Sequence, residues 1–229
     1  MKEVDKKPIV IFDIDFTIFD TAQLRHNRYK IFSKRLGYDD FNEFLTIARE
    51  TEEETKEKEK HFVPRVFLSL LKKKAKSDIS LEEMESIFFD EEFYEKSLYS
   101  DVLDVFDELI TKRHVGVALL STGEKEFQYY KIRALQKYLN NEHIHIFRDK
   151  VPELKKILSK YKDNTVFLVD DMLHVLKEAK KVDPNVMTIW IKRKREFNDS
   201  IFFDDQVIDD FIPDNVISDL HELLPLLPL

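Results

Sequence analysis

Short apolar runs alternate with stretches of helical periodicity along most of the chain. Nearly continuous hydrophobic runs at positions 8–14, 115–120, 165–169 and 186–191 are typical of strands that are covered on both faces of a sheet. A shorter strand, in which isoleucines alternate with histidines, is predicted at positions 143–146. Between these runs, apolar residues recur every three or four positions, which predicts helices. This order predicts an α/β fold with a doubly wound, Rossmann-like parallel sheet, because crossovers between parallel strands are right-handed.

Residues 21–99 differ from the rest of the chain because they contain helical patterns and no strand candidate. A capping-box signature at positions 80–83, Ser-Leu-Glu-Glu, precedes one of these helices. The segment 50–60 has no apolar residue, and it is predicted as a solvated helix or a mobile arm rather than as a binding site. We therefore expect two domains: an α/β core formed by residues 1–20 and 100–229, and an inserted all-helical domain formed by residues 21–99.

Polar residues stand at the carboxyl ends of the predicted strands. Because ligands bind at this edge of a parallel sheet, these residues are expected to share one site although they are far apart in the sequence. Asp13 and Asp15 point to the same side if the first strand continues that far. Carboxylates that close repel each other unless a cation or a proton lies between them, so the pattern predicts a metal-assisted carboxylate site. The polar clusters are Asp13 with Asp15, Ser121 with Thr122, and Asp170 with Asp171, and Lys150 follows the short strand.

Composition and charge exclude several kinds of function. The 229-residue chain has a formal net charge of −8, which argues against nucleic acid as a partner. It has no cysteine, and therefore no thiol nucleophile, disulfide or zinc–thiolate site. No apolar run reaches membrane-spanning length, and residues 1–7 lack the apolar segment of a signal peptide, so we expect a cytoplasmic protein without a membrane partner. The basic segment 191–195 is predicted as a solvated loop, and no oligomeric state is predicted.

Taken together, the polar clusters resemble the motifs of the haloacid dehalogenase (HAD) superfamily, whose members are mostly phosphatases. Members of that family carry a cap between the first and second motifs that covers the site and selects the substrate, which is the place that residues 21–99 occupy. The first motif is Asp-x-Asp-x-Thr after a strand, and positions 13–17 match it. The second is a strand that ends in Ser or Thr, matched at Ser121, and the third is a lysine near the start of a helix, matched at Lys150. The fourth is a strand that ends in acidic residues, matched at positions 170–171.

The resemblance implies a Mg²⁺-dependent phosphatase whose substrate is a small phosphorylated metabolite, hydrolysed as a phosphomonoester. It implies that Asp13 attacks phosphorus and forms an aspartyl-phosphate, and that Asp15 protonates the leaving oxygen and later deprotonates water. The Ser121 hydroxyl and the Thr122 N–H would hold phosphoryl oxygens, and Lys150 would offset negative charge. The implied metal ligands are Asp13, the Asp15 carbonyl, Asp170 and Asp171.

Some alternatives stay open from the sequence. Either Asp170 or Asp171 could ligate the metal directly, and Lys155 and Lys156 lie close enough in sequence to compete with Lys150 for the role of the motif lysine. The same set of residues could also transfer the phosphoryl group to an acceptor other than water, which only the identity of the product distinguishes.

Two positions depart from the family pattern. Phe16 stands where the family often has Gly, and Val175 stands where many members carry a further acid. These departures favour an alternative of a different class, a catalytically silent relative that binds a phosphorylated ligand or a protein partner. The acid at position 15 favours a phosphatase, because related ATP-driven pumps carry Thr at that place and dehalogenases lack the acid.

Overall fold

The computed structural model describes residues 7–194 and 211–228. Its strands are β1 (Pro8–Phe12), β2 (Gly116–Thr122), β3 (Ile144–Phe147), β4 (Thr165–Asp170), β5 (Met187–Ile191) and β6 (Asn215–Ile217). Within the described residues they form one sheet in the order β3-β2-β1-β4-β5-β6, in which every neighbouring pair is parallel. The predicted α/β fold with a doubly wound parallel sheet is therefore confirmed.

The helices form two groups along the chain. Between β1 and β2 lie α1 (Thr21–Arg35), α2 (Phe41–Glu59), α3 (Pro64–Lys72), α4 (Leu81–Phe88), α5 (Glu91–Glu95) and α6 (Val102–Asp107). After β2 follow α7 (Lys125–Lys131), α8 (Leu154–Lys160) and α9 (Leu173–Val182). Shorter turns of other helix types occur at Glu108–Lys112, Arg133–Tyr138, Asn141–His143, Val151–Glu153 and Leu220–Leu226. In the described ranges, none of the helices combines the length and the apolar character needed to cross a bilayer.

The sheet is covered on both faces, as the side chains of β1 show. Successive residues of a strand point to opposite faces. Val10 and Phe12 lie in a hydrophobic cluster that also contains side chains of the inserted helices, whereas Ile9 and Ile11 lie in a second cluster with side chains of α8 and α9. All four side chains are buried, so the strand has no polar face, and this is why its sequence is a continuous apolar run.

The segment 21–99 forms helices, as its periodicity predicts. Ser80 caps α4, since its hydroxyl accepts a hydrogen bond from the Glu83 N–H at 3.0 Å. Phe44 and Phe67 of the inserted helices belong to the same hydrophobic cluster as one face of the sheet. The division into two domains stays a prediction, and its ranges include residues 1–6, 195–210 and 229, which lie outside the described residues.

The segment 50–60 is largely the exposed helix that its composition predicts, but part of its first half is buried. Most of it belongs to α2, and both Thr51 and Glu52 are buried. The Thr51 hydroxyl donates to a backbone carbonyl one turn earlier at 2.7 Å, and the Glu52 carboxylate accepts a hydrogen bond from the Tyr29 hydroxyl and lies 3.1 Å from Arg25 Nε. Polar groups that are satisfied inside the protein can be buried without an apolar pattern, so hydrophobic periodicity does not reveal this face.

The basic segment 191–195 is not simply a solvated loop, because the side chain of Arg193 is buried in an ion pair. Its guanidinium donates to both carboxylate oxygens of Asp101, at 2.5 and 3.0 Å, and to the Thr17 carbonyl, at 2.8 and 3.0 Å. Arg193 therefore ties the loop that follows β1 to the chain that follows β5. Arg195 lies outside the described residues.

Replacing Arg193 by Met should destabilise the fold, because the buried Asp101 carboxylate then loses its cationic partner. We expect the free energy of unfolding to fall by about 3 kcal/mol, the usual scale for breaking a buried ion pair. Urea unfolding followed by circular dichroism measures the change, and Lys194→Met, at an exposed neighbouring residue, is the matched control. Equal stability of the two variants would contradict this role of Arg193.

Candidate active site

The carboxyl ends of neighbouring strands bring the predicted acidic residues together. Strand β1 lies between β2 and β4, and Asp13 is the residue that follows β1. The Asp13 N–H donates to the Val169 carbonyl at 2.9 Å, which holds Asp13 beside β4. Carboxylate oxygens of Asp13, Asp170 and Asp171 lie within 4.8 Å of one another. Acids from two distant segments therefore share one edge of the sheet, where the strand order predicts them.

Lys150 lies between two of these acids. It follows β3 and is 3% exposed. Its Nζ lies 2.5 Å from Asp13 Oδ1 and 2.6 Å from Asp170 Oδ2. Lys155 and Lys156, the competing candidates from the sequence, are exposed on α8. Lys150 is therefore the lysine that the fold brings to the acids.

The charges of this cluster do not balance among its own residues. Three carboxyl groups lie close together at a largely buried place, and the one ammonium group of Lys150 pairs with two of them, Asp13 and Asp170. Burial raises the pKa of Asp13, Lys150 lowers it, and the charges of Asp170 and Asp15 raise it, so that together they bring it to about 7. Burial alone would lower the pKa of Lys150, but Asp13 and Asp170 outweigh burial and hold that pKa above its ordinary value.

This donor set fits a divalent cation. Carboxylate oxygens are the hard ligands that Mg²⁺ prefers, and a doubly charged ion would balance the excess negative charge. Asp13, Asp170 and Asp171 can each offer one oxygen. Asp170 is fully buried and Asp171 is partly exposed, yet both belong to the cluster, so the geometry admits either of them as a direct ligand.

Trp190 orients the backbone of this loop. Its indole Nε1 donates to the Asp171 carbonyl at 3.0 Å. In the register of the sheet, Trp190 of β5 lies opposite Asp170 of β4, and its ring packs against the cluster that contains side chains of α8 and α9. The single tryptophan therefore both packs against the core and holds one of the acidic residues in position.

Asp15 is bound by side chains that the sequence patterns did not single out. Lys131 Nζ lies 2.5 Å from Asp15 Oδ1, Gln128 Nε2 donates to Oδ2 at 2.9 Å, and the Thr21 hydroxyl donates to Oδ1. Burial raises the pKa of Asp15, but Lys131 and these hydrogen bonds outweigh burial and hold the pKa below its ordinary value. The ion pair with Lys131 and the two hydrogen bonds therefore favour the ionised form of Asp15.

The position of Lys131 in α7 carries a signal that could have identified it. Lys131 follows Phe127 by four residues, so the two side chains lie on the same face of the helix, and both are buried. A lysine on the core-facing side of a helix is almost never buried without a partner. Its presence there predicts a buried acid, although the sequence does not say which one.

The residues at the end of β2 are arranged around Gln128. Ser121 is buried and Thr122 is the last residue of the strand. Gln128 Nε2 donates to the Thr122 carbonyl at 2.9 Å, and a Cβ at Gly123, where φ is +146°, would lie 2.7 Å from the same nitrogen. Only glycine leaves room for the Gln128 amide at this place. Thr122 Oγ1 also accepts a hydrogen bond from the Lys150 N–H at 3.2 Å, which links the second and third motif segments.

The structure shows what surrounds each departure from the family pattern. Phe16 has a φ of +57°, a left-handed conformation that glycine adopts at lower cost, and its N–H donates to the Phe19 carbonyl at 2.7 Å to close a tight turn. Val175 is 1% exposed and packs in the hydrophobic cluster with side chains of α8, so this position belongs to the core.

A cavity of about 390 Å³ opens beside this group of residues. Asp15 and Thr122 line it from the loops at the sheet edge, and Arg25 and Glu52 line it from α1 and α2. Its volume is within the range of small-molecule binding pockets. The helices inserted between β1 and β2 therefore form one wall of the space next to Asp15.

Comparison of the sequence with protein-family models and with curated proteins gives no match. Solved structures do share the fold. A haloacid dehalogenase-like hydrolase of Burkholderia xenovorans is 19% identical over 96% of this chain and 98% of its own, with a TM-score of 0.73. A HAD-hydrolase of Bacillus subtilis bound to magnesium is 16% identical over 98% of this chain and 100% of its own, with a TM-score of 0.61.

The L-2-haloacid dehalogenase of Xanthobacter autotrophicus also has this fold. It is 16% identical over 95% of this chain and 97% of its own, with a TM-score of 0.61. At these identities the likeness shows the architecture. The chain has the fold of HAD-superfamily hydrolases, which confirms the fold that the motif resemblance implies.

The raised pKa of Asp13 predicts that the metal-free protein loses stability as the pH rises. A carboxyl whose pKa rises from 3.8 to about 7 on folding favours the folded state at low pH, and this contribution is lost as the pH rises through about 7. The melting temperature of the wild type, relative to that of Asp13→Asn, should therefore fall between about pH 5 and about pH 8 in EDTA. Thermal unfolding of both proteins at each pH measures this difference in melting temperature.

Mg²⁺ should reduce this loss, because a ligand that binds the folded state stabilises it. The comparison with Asp13→Asn removes the contributions of other titrating groups that the two proteins share. A difference in melting temperature that is the same at both pH values would show that Asp13 is not held at a raised pKa.

Proposed function

We propose that this chain is a Mg²⁺-dependent phosphatase of the HAD superfamily that hydrolyses a small phosphomonoester through an aspartyl-phosphate. The observation that carries the proposal is the cluster of Asp13, Asp170 and Asp171 around Lys150 at the carboxyl edge of the sheet. When bound, Mg²⁺ would offset the charge of the carboxylates and of the phosphoryl oxygens, so that an anionic nucleophile can approach an anionic substrate. The shared fold of HAD-superfamily hydrolases supports this assignment.

Asp13 is the proposed nucleophile. One of its carboxylate oxygens forms a bond to phosphorus while the bond between phosphorus and the ester oxygen breaks. Lys150 orients this carboxylate through the hydrogen bond to Oδ1 and favours its ionised form. The Lys150 ammonium also stabilises negative charge on the transferring group. The Ser121 hydroxyl and the Thr122 N–H are the proposed donors to the phosphoryl oxygens.

Asp15 and Lys131 are proposed to transfer the proton together. The leaving oxygen needs a proton, and the pair holds one on Lys131, from which it passes through Asp15 to that oxygen. Water then attacks the phosphorus of the aspartyl-phosphate, and Asp15 accepts the proton of the water, which restores the protonated pair. Inorganic phosphate leaves, and the Asp13 carboxylate is regenerated.

The acid at position 15 supports phosphoester hydrolysis over dehalogenation, although a dehalogenase has the same fold. A halide ion leaves without taking up a proton, whereas an alkoxide leaving group must be protonated. The ion pair of Asp15 with Lys131 can supply that proton from the ammonium group, which suits the chemistry of a phosphate ester.

Asp13→Asn should abolish hydrolysis of an aryl phosphate, since an amide cannot replace the carboxylate as a nucleophile. We expect kcat to fall by a factor of about 10⁴ or more. Release of 4-nitrophenol and of inorganic phosphate with Mg²⁺ present measures it, and Asp78→Asn, at an exposed residue, is the matched control.

Wild-type activity in Asp13→Asn would end the proposed mechanism. A wild-type protein that binds neither Mg²⁺ nor a phosphate mimic in calorimetry, and turns over no ester, would favour the catalytically silent alternative. Production of a phosphorylated acceptor in place of inorganic phosphate would identify a phosphotransferase instead.

Lys131→Met should slow catalysis and change its pH dependence. Without the ammonium group, Asp15 has to carry the proton itself, so the active form is populated only at lower pH. We expect kcat to fall by about 100-fold near neutral pH, and the pH optimum to move downward. The pH profile of kcat measures this, with Lys125→Met, at an exposed residue of the same helix, as the control. A slower enzyme with an unchanged profile would make Lys131 a structural residue only.

A further inference from the structure

The cavity beside Asp15 carries positive charge that the chemistry at Asp13 does not use. Its acidic lining residues are already engaged: Asp15 with Lys131, Glu52 with Arg25 and Tyr29, and Glu124 with the Phe127 N–H. The basic lining residues are Arg25, Arg28, Lys56, Lys60, Lys131 and Arg148. Among the residues that the structure describes, basic side chains therefore outnumber acidic ones around this cavity.

Arg28 of α1 is the most unusual of these cations. It is 3% exposed, and its Cζ lies 3.8 Å from the centre of the Phe88 ring. Its Nη1 donates to the Phe88 carbonyl at 3.5 Å and to the Tyr94 hydroxyl at 3.4 Å, while its Nε has no hydrogen-bond partner. Within residues 7–194 and 211–228, no carboxylate forms an ion pair with Arg28. The charge of Glu52 acts on Arg28 from a distance and offsets the cost of burial only in part, because the pKa of Arg28 stays below its ordinary value. A buried guanidinium that no carboxylate contacts directly is costly, and a bound anion would reduce that cost.

Arg28 lies close to the reacting end of the cavity. The Phe127 ring has Lys131 Nζ at 4.4 Å from its centre and Arg28 Cζ at 5.7 Å, so the two cationic centres are separated by at most about 10 Å. Lys131 Nζ is in turn 2.5 Å from Asp15. A molecule with its phosphoryl group at the sheet edge can therefore reach Arg28 with a short chain.

Neighbouring positive charges add to the cost of this arrangement. Burial lowers the pKa of Arg28 and that of Lys131. Tyr94, Tyr29 and Glu52 act against this at Arg28, and Asp15 acts against it at Lys131, but with the charge of Arg25 both pKa values stay below their ordinary values. Cation–π contact with Phe88 and two long hydrogen bonds offset only part of this cost. An anion among these side chains would stabilise all of them at once.

We propose that the cavity binds a second anionic group of the substrate, a carboxylate or a phosphate, and that Arg28 is its main ligand. The inference rests on the proposed function, and it narrows the substrate class to phosphomonoesters that carry another anion a short chain away. Guanidinium groups hold carboxylates and phosphates through two parallel N–H donors, and a neutral tail would leave Arg28 without a directly paired anion.

Ligands that cannot be hydrolysed test this inference independently of turnover. Calorimetry with Mg²⁺ compares alkylphosphonates of about two to six carbons, lengths suited to a pocket of this size, with ω-phosphonoalkanoates of the same lengths. Alkylene bisphosphonates form a third series, which separates a second phosphate from a carboxylate as the preferred anion. At one chain length, we expect the second anion to tighten binding to the wild type by about tenfold or more.

The variants Arg28→Met and Arg28→Gln test the assignment to Arg28. Both should lose the gain from the second anion while binding alkylphosphonates as the wild type does. Arg28→Gln retains an N–H donor for the Phe88 carbonyl, so it serves if Arg28→Met does not fold. Arg65→Met is the matched control, because Arg65 is an exposed arginine outside the cavity and should keep the full gain.

The outcomes separate this inference from the proposed function. A gain at one length that disappears in the Arg28 variants supports the inference, even if aryl phosphates are not hydrolysed. Three results would overturn the inference. They are an affinity that the second anion does not raise at any chain length, no binding of any doubly anionic ligand, and a gain in affinity that persists in both Arg28 variants. Hydrolysis of 4-nitrophenyl phosphate without any such gain would retain the phosphatase and reject the second subsite.

Discussion

A buried ammonium group, Lys150 Nζ, ties together the acids that follow β1 and end β4. Without it, Asp13 and Asp170 would face each other in a space with little water, and their repulsion would oppose the packing of the two strands. With the Lys150 ammonium in place, the negative charge that remains on the acidic cluster is one that a divalent cation can balance. The arrangement of the loops at this edge of the sheet therefore depends on neutralising the acidic cluster. Lys150 neutralises part of its charge, and a bound cation would neutralise the rest.

The same principle acts at two further places around the edge. Lys131 is buried against Asp15, and Arg193 is buried against Asp101 while its guanidinium also holds the loop after β1 through the Thr17 carbonyl. Surface ion pairs contribute little to stability, whereas breaking a buried pair leaves an uncompensated charge. These paired side chains therefore fix the positions of loops that have no regular structure of their own.

Much of this architecture could be predicted from the sequence because strands buried on both faces leave continuous apolar runs, as at residues 8–12 and 165–169. That Asp13 and Asp170 lie at one edge follows from the rule that parallel strands end at the same edge of a sheet. That they lie beside each other depends on the strand order, which the structure supplies. The partners of Asp15 could not be predicted in this way, because Lys131 and Gln128 lie on a helix whose position over the sheet is set by tertiary packing. The burial of Glu52 could not be predicted for a related reason. Polar residues that form hydrogen bonds and ion pairs with one another can be buried, but they leave no hydrophobic pattern in the sequence.

Helix α7 is expected to tolerate few substitutions during evolution, because a few of its residues serve both the reacting groups and the packing of the pocket. Gln128 and Lys131 bind Asp15, and the ring of Phe127, which precedes them in the same helix, packs against Phe62 and Phe88 of the inserted segment. A change that rotates this helix would disturb the chemistry and the shape of the pocket together. Descendants of this protein could diversify more freely through α2 and the part of α1 beyond Thr21, where replacements alter the far wall of the pocket and leave the reacting groups in place.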